Sequence, residues 1–244
     1  MTLLAVKIWN RSAQGPVGRL LSGIVFAADQ GADIVNVSGS YTFDKSDNPG
    51  IVAAVQRAVT YAFRRGTLLV SIAGNDAADL DHNGDTVRLP CEAANAICAS
   101  ATAPAGVAGV NGPWQDVDAL APYTAFGRSA VNLAAPGGFG DFANPNPIIG
   151  QFRRIWVPCT TTPTETSLPA CRLGMALAQP FGTSLAAPHI SGLAALLVSQ
   201  SGQGNPAAIR ARILKAADDL GDPGVDPYYG HGRINVARAL GVIE

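Results

Sequence analysis

Residues 181–189 read Phe-Gly-Thr-Ser-Leu-Ala-Ala-Pro-His, which places Ser184 at a glycine-led turn that opens a helix with small residues behind it. A nucleophilic serine needs an exposed hydroxyl and nearby backbone N–H groups to hold an oxyanion. The N-terminus of a helix supplies such donors together with a favourable dipole. The alternative interpretation is that Ser184 only caps the helix, because serine is a preferred N-cap residue.

The rest of the chain alternates between the patterns of strands and helices. Continuous apolar runs are typical of buried strands, and apolar residues repeated every three or four positions indicate helices. The order predicts an α/β fold with a doubly wound, mostly parallel central sheet and helices on both faces. Right-handed crossovers then place functional loops at the carboxyl ends of the strands. The segments, starting with a strand, are residues 3–8, 19–30, 34–37, 51–62 and 68–72, and a long helix follows over 184–200.

The composition limits the classes of partner. The chain has 244 residues, of which 48% are hydrophobic and 14% charged, and its formal net charge is −1. Intrinsic disorder is excluded because it needs low hydrophobicity and high net charge. Without a strongly basic surface we expect neither nucleic acid nor an anionic membrane as a partner, and no apolar run reaches the ~18 residues of a membrane helix. We expect a single globular domain over residues 1–244.

The stretch at 181–189 resembles the nucleophile motif of the subtilisin-like serine proteases, Gly-Thr-Ser-x-Ala-x-Pro-His, and matches it at every specified position. The resemblance implies a serine endopeptidase that hydrolyses polypeptide substrates through an acyl-enzyme on Ser184, with Thr183 at the substrate. Residues 71–75, Ser-Ile-Ala-Gly-Asn, resemble the family's Ala-Ala-Gly-Asn segment. By that resemblance the neutral Asn75 amide donates to the oxyanion. The same resemblance assigns substrate binding to Ile72, Ala73 and Gly74.

Weaker similarities extend over most of the chain. Residues 32–38 resemble the strand that leads into the family's substrate-binding edge. At that edge Ser38, Gly39 and Ser40 stand in place of the usual Ser-Leu-Gly, which leaves the wall of the first specificity pockets open. Segments within 123–137 and the closing stretch at 229–235 also resemble family motifs, in the same order along the chain.

Two motifs of the family are missing from this sequence. The mechanism needs a histidine base and an aspartate that orients it, and the family carries them in His-Gly-Thr-His and Asp-Ser/Thr-Gly strings that do not occur here. His82, His189 and His231 are the only histidines, and none is placed like the base. Residues 3–8 resemble the strand that follows the catalytic histidine helix.

These observations predict an N-terminally truncated domain, the C-terminal two-thirds of a subtilisin-like catalytic domain that is inactive by itself. Its partner would be the missing N-terminal segment that carries aspartate and histidine. Two rival hypotheses stay open: a non-catalytic module that binds peptides in the cleft, and one half of a split enzyme whose other chain carries the two residues.

Four cysteines lie at positions 91, 98, 159 and 171. Their separations do not fit the Cys-x2-4-Cys pairs of zinc sites. An even count in loop segments predicts two local disulfides, Cys91–Cys98 and Cys159–Cys171, in a secreted protein. The alternative is four reduced, buried thiols.

An acidic loop is a candidate calcium site. Asp79, Asp81, Asn83 and Asp85 place oxygen ligands at alternate positions with a glycine at the sixth, like the start of a calcium-binding loop. The twelfth position is Pro90, where that motif has glutamate, so an acidic solvated turn is the alternative. The resembled family often binds calcium, which makes a structural calcium ion a hypothesis here, and no cofactor is expected for catalysis.

Overall fold

The structure, a computed structural model, describes residues 1–10, 12, 14–109, 112–142, 151–160, 168–202 and 204–243. Its strands are β1 (Ile34–Val37), β2 (Tyr41–Asp44), β3 (Leu68–Ile72), β4 (Thr86–Leu89), β5 (Ile97–Thr102), β6 (Gly106–Val107), β7 (Trp114–Gln115), β8 (Leu133–Pro136), β9 (Val157–Pro158) and β10 (Leu177–Ala178). Its helices are α1 (Val17–Asp29), α2 (Pro49–Arg64), α3 (Pro169–Arg172), α4 (Thr183–Ser201), α5 (Pro206–Lys215) and α6 (Val236–Ala239), and Gln151–Arg153 forms a 3-10 turn.

The central sheet is four-stranded and parallel, in the order β1-β3-β5-β8. Every residue of β3 and β5 is buried, which is typical of a parallel sheet covered on both faces. Val37 lies opposite Ser71, and Ile72 lies opposite Ala99. These strands therefore end at the same edge of the sheet. The predicted α/β fold with a parallel central sheet is confirmed.

Successive residues of β3 face opposite layers, as strand geometry requires. Leu68 and Val70 belong to a core that contains the buried residues of α4 and α5. Leu69 belongs to a second core, built with α1 and α2. The two layers explain why β3 is apolar at consecutive positions rather than at alternate ones.

The predicted strand at residues 3–8 is wrong. These residues form no strand, and Leu3 is 83% exposed. A strand exists only when a neighbouring strand accepts and donates its main-chain hydrogen bonds. Within the described part of the chain β1 pairs only with β3, and residues 3–8 pair with neither. Val6 and Ile8 instead lie over Gly23 of α1, where an added Cβ would come within 3.3 Å and 2.7 Å of their methyl carbons.

In the described ranges, three two-stranded antiparallel sheets lie outside the central sheet. They are β2 with β4, β6 with β7, and β9 with β10, and most are too short to show a period of two in the sequence. Disulfides join Cys91 to Cys98 and Cys159 to Cys171. No helix among the described residues is long and apolar enough to cross a membrane.

Candidate active site

Ser184 lies in the first turn of α4 and does not cap it. The helix begins at Thr183, and Gly182 occupies the N-cap position with a φ of 134°. That φ favours glycine, and a Cβ at Gly182 would come within 3.3 Å of the amide nitrogen of Asn75. The interpretation of Ser184 as a helix cap is therefore wrong.

A reciprocal pair of hydrogen bonds joins Ser184 to the residue that follows β1. The Ser184 hydroxyl donates to the Ser38 carbonyl at 3.2 Å, and the Ser38 hydroxyl donates to the Ser184 carbonyl at 3.0 Å. In an uninterrupted α-helix the Ser184 carbonyl would accept from the N–H of residue 188. Residue 188 is a proline, which has no N–H. Ser38 therefore fills a vacancy that Pro188 creates beside the serine.

Asn75 is held with its amide nitrogen free. Its side-chain oxygen accepts from both the N–H and the hydroxyl of Thr183, each at 2.8 Å. Thr183 is fully buried, so these two donors need that oxygen as their acceptor. The two bonds fix the orientation of the amide. The nitrogen of Asn75 has no hydrogen-bond partner among the described residues, and it faces Gly182 at the start of the same turn.

The buried hydroxyl of Tyr123 holds the turn at Gly182 in place. The N–H of Gly182 donates to the Tyr123 hydroxyl at 3.0 Å and to the Gly137 carbonyl at 3.0 Å. The Tyr123 hydroxyl in turn donates to the Gly138 carbonyl at 2.8 Å. Burial raises the pKa of Tyr123 far above its usual value, so the phenol stays protonated and keeps its donor. Tyr123 opens a segment that resembles a family motif, but nothing in that pattern predicts its contact with Gly182.

Comparison with known proteins decides the family. The model of the subtilase family, Peptidase_S8, matches residues 1–232. The chain belongs to the subtilase family. Thermitase of Thermoactinomyces vulgaris is 30% identical over 240 residues, a match that covers 98% of this chain and 65% of thermitase. A thermophilic serine proteinase of Bacillus sp. (strain AK1) is 29% identical, with coverage of 98% and 45%. The chain thus spans less than two-thirds of either relative.

Solved structures agree with this subtilase in fold. A lanthipeptide protease superposes with a TM-score of 0.78 at 22% identity, covering 98% of this chain and 69% of the other. The nisin leader peptidase NisP from Lactococcus lactis superposes with a TM-score of 0.71 at 18% identity, covering 94% and 63%. The predicted subtilisin-like architecture is confirmed by both.

The glycine at position 39, where the family pattern has leucine, lies against Trp9. A Cβ at Gly39 would lie 2.0 Å from the ring of Trp9, so no larger residue fits there with Trp9 in place. The Trp9 indole N–H donates to the Tyr41 hydroxyl at 2.9 Å, and that hydroxyl donates to the Gly15 carbonyl at 2.6 Å. The ring borders an open cavity of about 340 Å³, which is lined by Trp9, Gln14, Gly15, Ser38, Gly39, Ser40 and Tyr41.

An ion pair that no sequence motif indicates lies next to Asn75 in the chain. The guanidinium of Arg88, on β4, donates to both carboxylate oxygens of Asp76 at 2.8 and 2.6 Å and to the Ala73 carbonyl at 2.7 Å. The hydrogen bond from Arg88 holds the pKa of Asp76 below its usual value, although burial opposes this. Gly74 and Asn75 lie between the two residues that Arg88 holds.

No imidazole reaches the Ser184 hydroxyl within the described part of the chain, which includes all three histidines. His189 is exposed, and its ring bonds to the Leu185 carbonyl of its own helix at 2.7 Å. His82 pairs with Asp79 at 2.8 Å, and this hydrogen bond raises its pKa. His231 is exposed after Gly230, in the closing stretch.

The carboxylates of the acidic loop face separate partners. Asp79 accepts from the N–H groups of Asp81 and His82, Asp81 accepts from the N–H and hydroxyl of Ser129, and Asp85 accepts from the N–H of Ser46. Asn83 contributes its main-chain carbonyl to Thr86. In the described ranges no three His, Cys, Asp or Glu side chains converge as metal ligands. The structure does not bring the four candidates together, and a bound calcium ion stays an untested hypothesis.

Proposed function

We propose that this chain supplies the nucleophile and the oxyanion donor of a serine endopeptidase that cleaves polypeptide substrates. The observation that carries the proposal is the state of Asn75. Its amide oxygen is fixed by Thr183, and its nitrogen is an unused donor beside the first turn of α4. A donor fixed before the reaction stabilises charge as it develops and costs no reorganisation.

In the proposed acyl transfer each group has one role. The Ser184 oxygen attacks the carbonyl carbon of the scissile peptide, and the carbonyl oxygen becomes an oxyanion. The donors for that oxyanion are the Asn75 nitrogen and the main-chain N–H of Ser184, since the N–H of Thr183 donates to Asn75 and that of Leu185 donates to the Gly182 carbonyl. The positive end of the helix dipole favours the same charge. When the oxyanion collapses, the scissile C–N bond breaks and the amine leaves with the proton that the base took from Ser184, so the acyl group is carried on Ser184 as an ester until water hydrolyses it.

The proton of Ser184 needs a base as its acceptor, and within the described ranges no imidazole lies beside the hydroxyl, which donates to the Ser38 carbonyl. We infer that a histidine base and its orienting aspartate come from polypeptide outside residues 1–244, either in the same chain or in a separate one. The position of β1 supports this inference, because among the described residues β1 pairs with a strand on one side only. On α4 an exposed stripe that includes Pro188, His189, Gly192 and Leu196 adds apolar surface suited to packing.

A second candidate function rests on the same observation. A cleft with a fixed Asn75 and no base near Ser184 would hold peptides without cutting them, as a binding module. Inspection of the DNA immediately upstream of the Met1 codon separates the candidates. In-frame aspartate and histidine motifs favour a single-chain enzyme, a separate reading frame that encodes them favours a split enzyme, and neither favours the binding module.

Export is part of the proposal. Two disulfides are typical of proteins that fold in oxidising compartments, and both are present. One relative, 26% identical over 232 residues, is the minor extracellular protease Epr of Bacillus subtilis. We infer that this subtilase is secreted.

Labelling with a fluorophosphonate, which needs an activated serine, tests the proposed function. Residues 1–244 alone should turn over peptide at background, because loss of the nucleophile or base in subtilisin costs about 10⁶ in kcat. Addition of the polypeptide that carries the histidine and aspartate motifs should restore labelling. Ser184→Ala is the control and should abolish it.

Three results would count against the proposed function. Turnover near 1 s⁻¹ by the chain alone, lost in Ser184→Ala, would reveal a different base. Labelling that survives Ser184→Ala would place the nucleophile elsewhere. A folded mixture that binds peptide and stays unlabelled would favour the binding module.

A further inference from the structure

The guanidinium of Arg88 lies directly on the turn that leads to Asn75. Gly74 has a φ of 122°, and a Cβ built on it would come within 1.9 Å of an Arg88 terminal nitrogen. The side of Gly74 where other residues carry a side chain is therefore occupied by Arg88. The contact with the Ala73 carbonyl at 2.7 Å keeps the guanidinium against the end of β3.

Arg88 is fixed in this place by charge. Its side chain is 9% exposed, whereas that of Asp76 is 56% exposed. A buried guanidinium must keep a paired carboxylate, and the two-pronged contact with Asp76 provides one with defined geometry. Swinging Arg88 aside would break three hydrogen bonds and leave a buried charge unpaired. The guanidinium therefore occupies a fixed volume beside Gly74, unlike a mobile surface side chain.

The site geometry determines where a substrate side chain must lie. If the attacked carbonyl sits between Ser184 and the Asn75 nitrogen, the side chain of that substrate residue branches one atom away, next to Gly74. Residues 38–40 and 72–74 leave the sheet side by side, because Val37 pairs with Ser71. The Ser71 hydroxyl donates to the Gly39 carbonyl at 3.4 Å across the gap.

Arg88 closes the far end of this gap. It lies on β4, opposite Thr42 of β2, and β2 continues directly from Ser40. A side chain that enters between the two segments thus meets the guanidinium. We propose that Arg88 is a specificity-determining residue, which restricts the substrate residue on the amino side of the scissile bond to small, uncharged side chains. This inference rests on the proposed function.

The physical reason is steric first and electrostatic second. A large side chain would need the volume that Arg88 fills, and overpacking a fixed site is unfavourable. A charged substrate side chain of either sign would be desolvated beside a pair in which Asp76 already balances the charge of Arg88, so it would lose its water without gaining a free counter-ion.

Peptide binding tests the inference without any need for catalysis. The full chain is titrated with fluorescein-labelled peptides that are identical except for a C-terminal Ala, Phe or Glu, and fluorescence anisotropy is recorded. The wild type should bind the Ala peptide about tenfold or more tightly than the Phe and Glu peptides. In Arg88→Ala the preference over Phe should fall to about threefold or less.

Two further variants separate volume from charge and from general effects. Arg88→Met fills a similar volume without charge and should keep the discrimination against Phe. Arg57→Ala removes an exposed arginine of α2 and should leave all affinities unchanged. Circular dichroism checks the fold of each variant, and if Arg88→Ala does not fold, the wild type and Arg88→Met decide.

The outcomes distinguish failure of the inference from failure of the proposed function. Equal affinity of the wild type for the Ala and Phe peptides overturns the inference alone. Preferred binding of the Glu peptide overturns it as well, since Arg88 would then be a receptor for carboxylates. Loss of discrimination in a folded Arg88→Met contradicts the steric basis. Binding of no peptide by any form contradicts the proposed function, and the inference falls with it.

Discussion

At the scale of single residues, the two atoms of the Asn75 amide have separable duties. The oxygen satisfies the buried donors of Thr183, and the nitrogen is the oxyanion donor in the proposed function. Asn75→Asp keeps an acceptor for Thr183 and replaces the nitrogen by a negatively charged oxygen. Asn75→Ala removes both. The two variants therefore test stability and acylation independently.

We expect both variants to slow fluorophosphonate acylation of Ser184 by about 10²–10³-fold, measured on whichever preparation labels the serine. Only Asn75→Ala should also lower the free energy of unfolding, by about 1–3 kcal/mol, because it leaves two buried donors of Thr183 without an acceptor. Urea titration gives the second quantity. Acylation of Asn75→Asp at the wild-type rate would show that the amide nitrogen is not the donor.

The residues that could be predicted are those in contiguous motifs. Ser184 and Asn75 each lie in a short string whose pattern indicates the chemistry. Tyr123 and Gly182 are hydrogen-bonded although they lie 59 positions apart in the chain. Arg88 pairs with Asp76, and no local sequence pattern indicates that pair. Such contacts depend on tertiary packing, so the sequence pattern leaves them unmarked.

At the scale of elements, Pro188 interrupts the main-chain hydrogen bonds of α4 one turn after Ser184. Pro188 deprives the Ser184 carbonyl of its helical donor, and the Ser38 hydroxyl replaces that donor at 3.0 Å. Ser38→Ala should lower the free energy of unfolding by about 1 kcal/mol, because the carbonyl loses its partner. Pro188→Ala restores a main-chain N–H at the correct position.

A double-mutant cycle measures this substitution of donors. Ser38→Ala should cost less in the Pro188→Ala background than in the wild type, with a coupling of about 0.5–1 kcal/mol from urea titrations. Ser191→Ala, which removes a hydroxyl bonded to Asn36, is the matched control and should show additive behaviour with Pro188→Ala. An additive Ser38–Pro188 pair would contradict the proposed exchange of donors.

The same scale shows why some elements were predictable and one was not. A helix carries its own hydrogen bonds, so the apolar spacing of α1, α2, α4 and α5 is sufficient to predict it. Buried strands such as β3 are recognisable as apolar runs between turns. Residues 3–8 have the composition of a strand, but a strand also needs a partner. No strand among the described residues pairs with them, and Val6 and Ile8 lie on α1 instead.

At the scale of the whole molecule, the fold gathers distant segments at one edge of the sheet. Ser38 and Ser184 are 146 positions apart, and Asn75 and Thr183 are 108 apart. Parallel strands with right-handed crossovers bring their carboxyl ends together, and α4 then delivers its N-terminus to that edge. A fixed sheet is what keeps such widely spaced groups in hydrogen-bonding distance.

One disulfide joins Cys91 to Cys98 on β5 of this sheet, the other joins Cys159 to Cys171 on α3 outside it, and the two should differ in what they contribute. Loop closure alone favours Cys159–Cys171, with a separation of 12 against 7, yet both loops give about 2–3 kcal/mol in the entropic model. Cys91 and Cys98 are both buried, in a cluster with Ala73 at the end of β3. Replacing both by alanine therefore removes packing as well as the cross-link. We expect the Cys91→Ala/Cys98→Ala variant to lose more unfolding free energy than Cys159→Ala/Cys171→Ala.

Peptide mapping of unreduced, secreted material should show Cys91 linked to Cys98 and Cys159 linked to Cys171. Urea titration of each double variant gives the ranking of the two losses in unfolding free energy. Four free thiols in that material would contradict both the pairing and the inferred export, and a reversed ranking would show that loop closure outweighs burial here.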